Sequence, residues 1–143
     1  MNETLWAFDP SKEPSQLHPL VLAYMGDAVY EVFIRQYLIS QKNLKPNHMQ
    51  KQSIRFVSAK AQAQVLEKMT PFLTEEEQDV VRRGRNAKSG SVPKNTDAVV
   101  YRHSTAFETL LGYLFYQKRF DRLYALMAMT VDDATTTASR GQT

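Results

Sequence analysis

One segment, "LAYMGDAVYEVF" at residues 22–33, limits most tightly how this chain can fold. Apolar side chains fill nearly every position, so it reads as a helix covered on most of its surface. Asp27 stands in the middle, beside Gly26. A lone carboxylate in apolar surroundings is costly to keep ionised, and a glycine inside a helix costs about 1 kcal/mol relative to alanine. Whatever packs against this helix must compensate both.

The rest of the chain is punctuated in the same helical style. Five helices can be read and no convincing strand run, which predicts an all-α fold. The first spans residues 17–40. The second starts after Pro46 with Asn47 as N-cap and runs on to Met69, with Ile54, Val57, Ala61, Val65 and Met69 as its core face. The third opens on a capping box, Thr74 with Glu77, and stops at Gly84. After the interruption "RNAKSGSVPKNT", a fourth covers residues 97–117 and a fifth residues 121–130, leaving 131–143 as a flexible tail. With 143 residues and no internal repeat, a single domain over 1–143 with its core at about 17–130 is expected.

Composition removes several classes. Hydrophobic residues at 43% and charged residues at 23% exclude a disordered or low-complexity chain. Without cysteine there is no zinc-thiolate site, and a reducing compartment is compatible. The start, "MNETLWAFDP", carries Glu3 and Asp9 where a signal peptide would be basic and then apolar. The most apolar region, residues 20–38, is broken by Asp27, Glu31 and Arg35, too charged for a lipid-exposed helix. A cytoplasmic protein without membrane contact is the expectation. A net charge of +3 and a pI near 9.2 lean toward an acidic partner.

The fourth helix repeats the oddity of the first. In "STAFETLLGYLF", Glu108 lies among Phe107, Leu110, Leu111 and Leu114, with Gly112 one turn later. Two apolar helices, each with a carboxylate and a nearby glycine, can pack closely and bring the acids together. Two outcomes are open: a divalent metal between the acids, or an Arg or Lys from a neighbouring helix for each. Glu31 can join such a site or pair with Arg35 one turn on. Arg82, Arg83, Arg85, Lys88 and Lys94 form the densest run of one sign, with no acid between Val80 and Thr96. It falls on the Gly/Ser/Pro-containing loop, where it can follow a phosphate backbone or simply face solvent. "GRNAKSG" lacks the glycine that a Walker loop places before its lysine, no Gly-x-Ser-x-Gly elbow exists, and His18, His48 and His103 lack ligand spacing. The aromatic residues of 113–120 have helical spacing and read as core.

Together, "AYMGDAVYEVFIRQYL" and "STAFETLLGYLF" resemble the two signature segments of the ribonuclease III catalytic domain, Glu-Phe-Leu-Gly-Asp-Ala-Val and Ala-Asp-x-Phe-Glu-Ala-Leu-x-Gly. Between them, "HMQKQSIRFVSAKAQAQVL" is similar to the family's Leu-x-x-x-Arg-x-x-x-Val-Ser helix. The resemblance covers about residues 17–126. It is closest to the branch that has the catalytic domain and no double-stranded-RNA-binding domain, whose loop "RRGRNAKSGSVPKNTD" also resembles.

The resemblance implies an all-helical homodimer that uses Mg²⁺ to cleave both strands of duplex RNA and matures the large-subunit (23S) ribosomal RNA precursor, with room for a ribosomal-protein helper. Position by position, the family's aspartate falls on Asp27 and its glutamate on Glu108, making these the implied catalytic residues and Mg²⁺ ligands. Two further family carboxylates are absent, replaced by Ala23 and Thr105, a reduction that this branch shares. Arg83, Arg85, Lys88 and Lys94 are the expected RNA-holding cations. The rival readings are a non-catalytic RNA-binding or ribosome-assembly protein on the same fold, and a helical protein-interaction module.

Overall fold

Each helix begins where the sequence supplies a proline or a polar cap. The computed structural model describes residues 8–42, 44–88 and 92–141, with side chains as far as residue 132. A 3-10 turn at Pro14–Gln16 leads into α1 (Pro19–Ile39), where Pro19 occupies the first turn and His18 Nδ1 accepts from the Leu20 amide at 3.0 Å. Then come α2 (Pro46–Val57), α3 (Ala59–Met69), a second 3-10 turn at Thr70–Phe72, α4 (Glu75–Asn86), α5 (Ala98–Tyr116) and α6 (Phe120–Gly141). Among the described residues there is no strand, and the fold is all-α as expected.

The second expected helix is in fact two. At Ser58 the backbone turns extended (ψ 153°), and the serine hydroxyl caps α3 by accepting from the Ala61 amide. The break resets the helical phase: of the expected face Met69 is buried, Val57 and Val65 are partly buried and Ile54 is exposed, while Phe56, Gln62 and Leu66 take the other buried positions. Lys45, not Asn47, is the N-cap of α2, because Pro46 fits the first helical position. Gly84 does not end α4, which continues to Asn86. Its role is contact: a Cβ there would meet Thr109 Oγ1 at 2.7 Å and Ala106 Cα at 2.9 Å, so its bare backbone lets α4 lie against α5. The last helix passes the expected end at Thr130. Val131 is still buried, and the backbone stays helical to Gly141.

The capping box of α4 forms as read. Thr74 Oγ1 accepts from the Glu77 amide at 3.1 Å and Glu77 Oε1 from the Thr74 amide at 2.9 Å. Glu77 is 1% exposed and also accepts from Arg122 Nε and Nη2, both at 2.8 Å, while Arg122 Nη2 donates to the Phe72 carbonyl. Beside it, Glu76 takes a fork of two bonds from Arg119 (2.7 and 3.0 Å) and one from the Tyr113 hydroxyl (2.6 Å). Arg119 reaches Glu76 because α5 closes on a left-handed residue. Lys118 has φ 59°, and the Arg119 and Lys118 amides fold back onto the Leu114 and Phe115 carbonyls, both at 3.0 Å.

The central element is α5, whose Ala106, Phe107, Leu110, Leu111 and Leu114 are fully enclosed. It packs most extensively on α1, then on α4 and α3. Full enclosure explains why the sequence of α5 is apolar nearly all round. Of the aromatic run, Tyr113 is buried, and Phe115 packs edge-on against Tyr116 and Phe120.

Candidate active site

The crossing of α1 and α5 is set by two glycines that face each other's backbones. A Cβ on Gly26 would lie 1.8 Å from the Glu108 carbonyl oxygen, and one on Gly112 would lie 1.9 Å from the Leu22 carbonyl oxygen. Neither position admits any other residue without parting the helices. This reciprocal contact is the expected close approach, and it brings the two carboxylates together: Glu108 shares a side-chain hydrogen bond with Asp27.

Their surroundings differ from the expectation in one respect. Asp27 lies exposed, on the open edge of the crossing, and Glu108 is the one partly buried. Burial, followed by the hydrogen bond and the charge of Asp27, pushes the Glu108 carboxyl from the usual range up to about 9, while a hydrogen bond from Gln62 pulls it down. Two carboxyl groups can share a hydrogen bond only if one carries a proton, so at neutral pH the pair as it stands holds one. Among the described residues no Arg or Lys stands beside Glu108 to neutralise it. The ion-pair alternative thus finds no partner for Glu108 among the described residues, whereas Glu31 does pair with Arg35, at 3.5 Å.

Such a pair suits a hard, oxygen-seeking cation. Among the described residues no three His, Cys, Asp or Glu side chains gather at one point, so a cation here would draw two protein ligands and fill the rest from water and substrate oxygens. Ala23 and Thr105 are both buried and add no ligand of their own charge. The pair also lies outside the groove that α3 and α4 form over Leu66, Leu73 and Val81. It stands at the surface, where a polymer can reach it.

Two residues that the sequence did not single out complete the local polar network. Gln62 on α3 and Ser104 on α5 are both buried, and Ser104 Oγ lies 2.6 Å from Gln62 Oε1. The available signal was Gln62's register: with Leu66 and Met69 it follows an i, i+4, i+7 apolar row, an odd place for an amide.

The basic run divides. Arg82, Arg83 and Arg85 belong to α4, not to a loop, and only Lys88 and Lys94 lie beyond it. Arg82 pairs with Asp79. Arg83 donates to the carbonyls of Ser15 (3.1 Å) and Leu17 (3.4 Å), tying α4 to the segment before α1. Arg85, Lys88 and Lys94 are exposed. Residues 89–91, within the expected interruption between the helices, lie outside the described residues. Among the described residues, no helix is long and apolar enough to cross a membrane.

Residues 20–119 match the ribonuclease III domain. Among known proteins, the chain is 51% identical over 113 residues to the Mini-ribonuclease 3 of Brevibacillus brevis, covering 79% of this chain and 84% of that protein. It is 48% identical over 113 residues to the Mini-ribonuclease 3 of Staphylococcus aureus, covering 78% and 84%. A crystal structure of a Fusobacterium nucleatum protein superposes with a TM-score of 0.76 at 26% identity, over 87% of this chain and 99% of that one.

Proposed function

The chain belongs to the ribonuclease III family and is an endoribonuclease, and from that premise we propose that it cuts double-stranded RNA with Asp27 and Glu108 as catalytic residues and Mg²⁺ ligands. One observation carries the reading: two carboxylates meet at an open helix crossing, held by reciprocal glycines. When bound, Mg²⁺ would place positive charge beside the scissile phosphate and make a nearby water a better nucleophile. The protein's part is geometric and protonic. Gly26 and Gly112 fix the approach of the two acids, and Asp27 and Glu108 would hold the cation as carboxylates, the Glu108 proton passing to solvent on binding.

The exposed side of α1 supports a homodimer. Val21, Tyr24, Ala28 and Val32 recur at three- and four-residue spacing along its exposed side, with Tyr24 82% exposed, and form an apolar stripe suited to a second copy. A two-fold pair would present two carboxylate sites to two antiparallel strands. Arg85, Lys88 and Lys94 would hold phosphates, with Arg83 bracing α4 beneath them. Recognition would rest on backbone and shape more than on sequence. The chain acts in this reading as one catalytic domain, in the cytoplasm, on the large-subunit (23S) ribosomal RNA precursor, with room for a ribosomal-protein helper.

The test is cleavage of a short RNA duplex by the purified protein, with and without Mg²⁺, beside Asp27→Asn. Cleavage should require the metal, and the variant, still folded, should lose about a hundredfold or more in rate. Near-parental cleavage by folded Asp27→Asn would remove the assignment, and a parent that binds duplex without cutting it would favour the non-catalytic rival.

A further inference from the structure

We propose that Gln62 is a positioning residue for Glu108, fixed in orientation by Ser104 and by the helix break at Ser58. The inference rests on the reading of Glu108 as part of the catalytic pair.

Gln62 is 2% exposed, and an amide at that depth must find partners for its oxygen and its two N–H groups. The extended backbone at Ser58 ends α2 and leaves the Val57 carbonyl without a continuing helical turn; Gln62 Nε2 donates to it at 3.3 Å. A carbonyl can only accept, so the end of the amide facing Val57 is the nitrogen. The oxygen must then face Ser104, whose hydroxyl donates to it at 2.6 Å. The second N–H goes to the Glu108 carboxylate. All three polar functions of Gln62 are therefore used, and only one flip of the amide satisfies them together.

Ser104 lies one turn before Glu108 on α5. The clamp therefore runs from α5 across to α3 and back to α5, ending on the carboxylate. Glu108 is thereby held on two sides by unlike groups, Asp27 and the Gln62 amide. A carboxylate with few protein companions at a metal depends heavily on such outer support, whose loss typically costs about 10–100-fold in metal affinity or activity.

The experiment compares the parent with Gln62→Leu, Ser104→Ala and Glu108→Gln. Three readouts are needed: far-UV circular dichroism for folding, Mn²⁺ binding followed by the EPR signal of the free ion, and kcat and KM for cleavage of one duplex at saturating Mg²⁺. Gln62→Leu fills the space but donates nothing. It should bind Mn²⁺ about tenfold more weakly and lose about tenfold in kcat with KM within twofold of the parent. Ser104→Ala leaves the amide's orientation to Val57 but removes the hydrogen bond that anchors its oxygen to α5, and should fall between the parent and Gln62→Leu on both readouts. Should Gln62→Leu fail to fold, Ser104→Ala alone decides, parental values in both readouts overturning the inference. Folded Gln62→Leu with parental kcat and Mn²⁺ affinity overturns it too. If Glu108→Gln cleaves and binds Mn²⁺ like the parent, or the parent binds no Mn²⁺, the catalytic reading itself fails and takes this one with it. Loss in Glu108→Gln with no change in Gln62→Leu rejects the positioning role alone.

Discussion

Replacing Gly26 by alanine would put a methyl carbon 1.8 Å from the Glu108 carbonyl oxygen, 2.7 Å from its carbonyl carbon and 2.9 Å from the Gly112 amide nitrogen. All three atoms are backbone, so no side chain can swing aside. Comfortable nonbonded separations begin near roughly 3.3 Å, which requires α1 and α5 to part by about 1.5 Å along the contact. A radial gap of about 0.5–1 Å already forfeits a quarter to a half of each atom pair's attraction, and α1 with α5 is the most extensive helix pair in the fold. The cost should therefore pass the usual 1–3 kcal/mol of overpacking, against a gain of about 1 kcal/mol from alanine's better helix propensity. A net loss of about 3–4 kcal/mol corresponds to a fall in Tm of roughly 10 °C for a chain of this size. Thermal unfolding by circular dichroism measures it, and duplex cleavage well below Tm should suffer as well, because the displaced atoms belong to Glu108. Gly112→Ala should behave alike, and the double variant should cost less than the sum, since helices already parted admit the second methyl more easily. A Gly26→Ala protein with Tm within about 2 °C of the parent and full cleavage would refute the argument.

Burial and Asp27 hold the Glu108 carboxyl protonated up to about 9, whereas an unfolded chain releases that proton in the ordinary carboxylate range. Between those limits the folded state binds more protons than the unfolded one. Metal-free stability should thus be full at acid pH and decline as pH rises toward about 9, at no more than about 1.4 kcal/mol per unit. Glu108→Gln should flatten that decline and raise Tm at pH 8 in chelator; an unchanged slope would count against the shared proton. Lys88→Ala with Lys94→Ala should weaken duplex binding for every sequence and lower the salt slope by about one unit per lost phosphate contact, as titrations across a salt series would show. Arg83→Ala should instead lower Tm, at about 1 kcal/mol, by releasing the Ser15 and Leu17 carbonyls, and parental Tm would contradict that bracing role. Tyr24→Glu should turn a sedimenting dimer into a monomer, and a parent that sediments as a monomer would end the two-site scheme.

The features most legible in the sequence were those encoded locally or by contrast. Thr74 with Glu77 spelled out its capping box, and Gly26 and Gly112 beside Asp27 and Glu108 announced a close crossing because each breaks an otherwise apolar run. Ser58 was harder. Good helix formers follow it, Phe56 and Val57 before it give no stop signal, and the break lets α2 pack on α1 and α3 on α5. An unbroken helix puts Ala61 and Val65 on the core face with Met69, whereas Gln62 and Leu66 are the more deeply buried pair, and that hides Gln62 from a sequence reading. Arg83 reads from sequence as one of the RNA-holding cations because its partners are main-chain carbonyls more than 60 residues away, and such acceptors have no sequence signature.

Glu77 has a reach beyond the turn it caps. Its one carboxylate serves the backbone amide of Thr74, the N-cap of α4, and the guanidinium of Arg122 on α6, and Arg122 also holds the Phe72 carbonyl in the turn before α4. Unwinding the start of α4 would strand a guanidinium on α6, and lifting α6 away would strand a buried anion under α4. Neither can open alone at small cost. The two helices should therefore exchange their amide hydrogens as one cooperative unit although more than thirty residues separate them along the chain, and the basic run at the end of α4 should open with it.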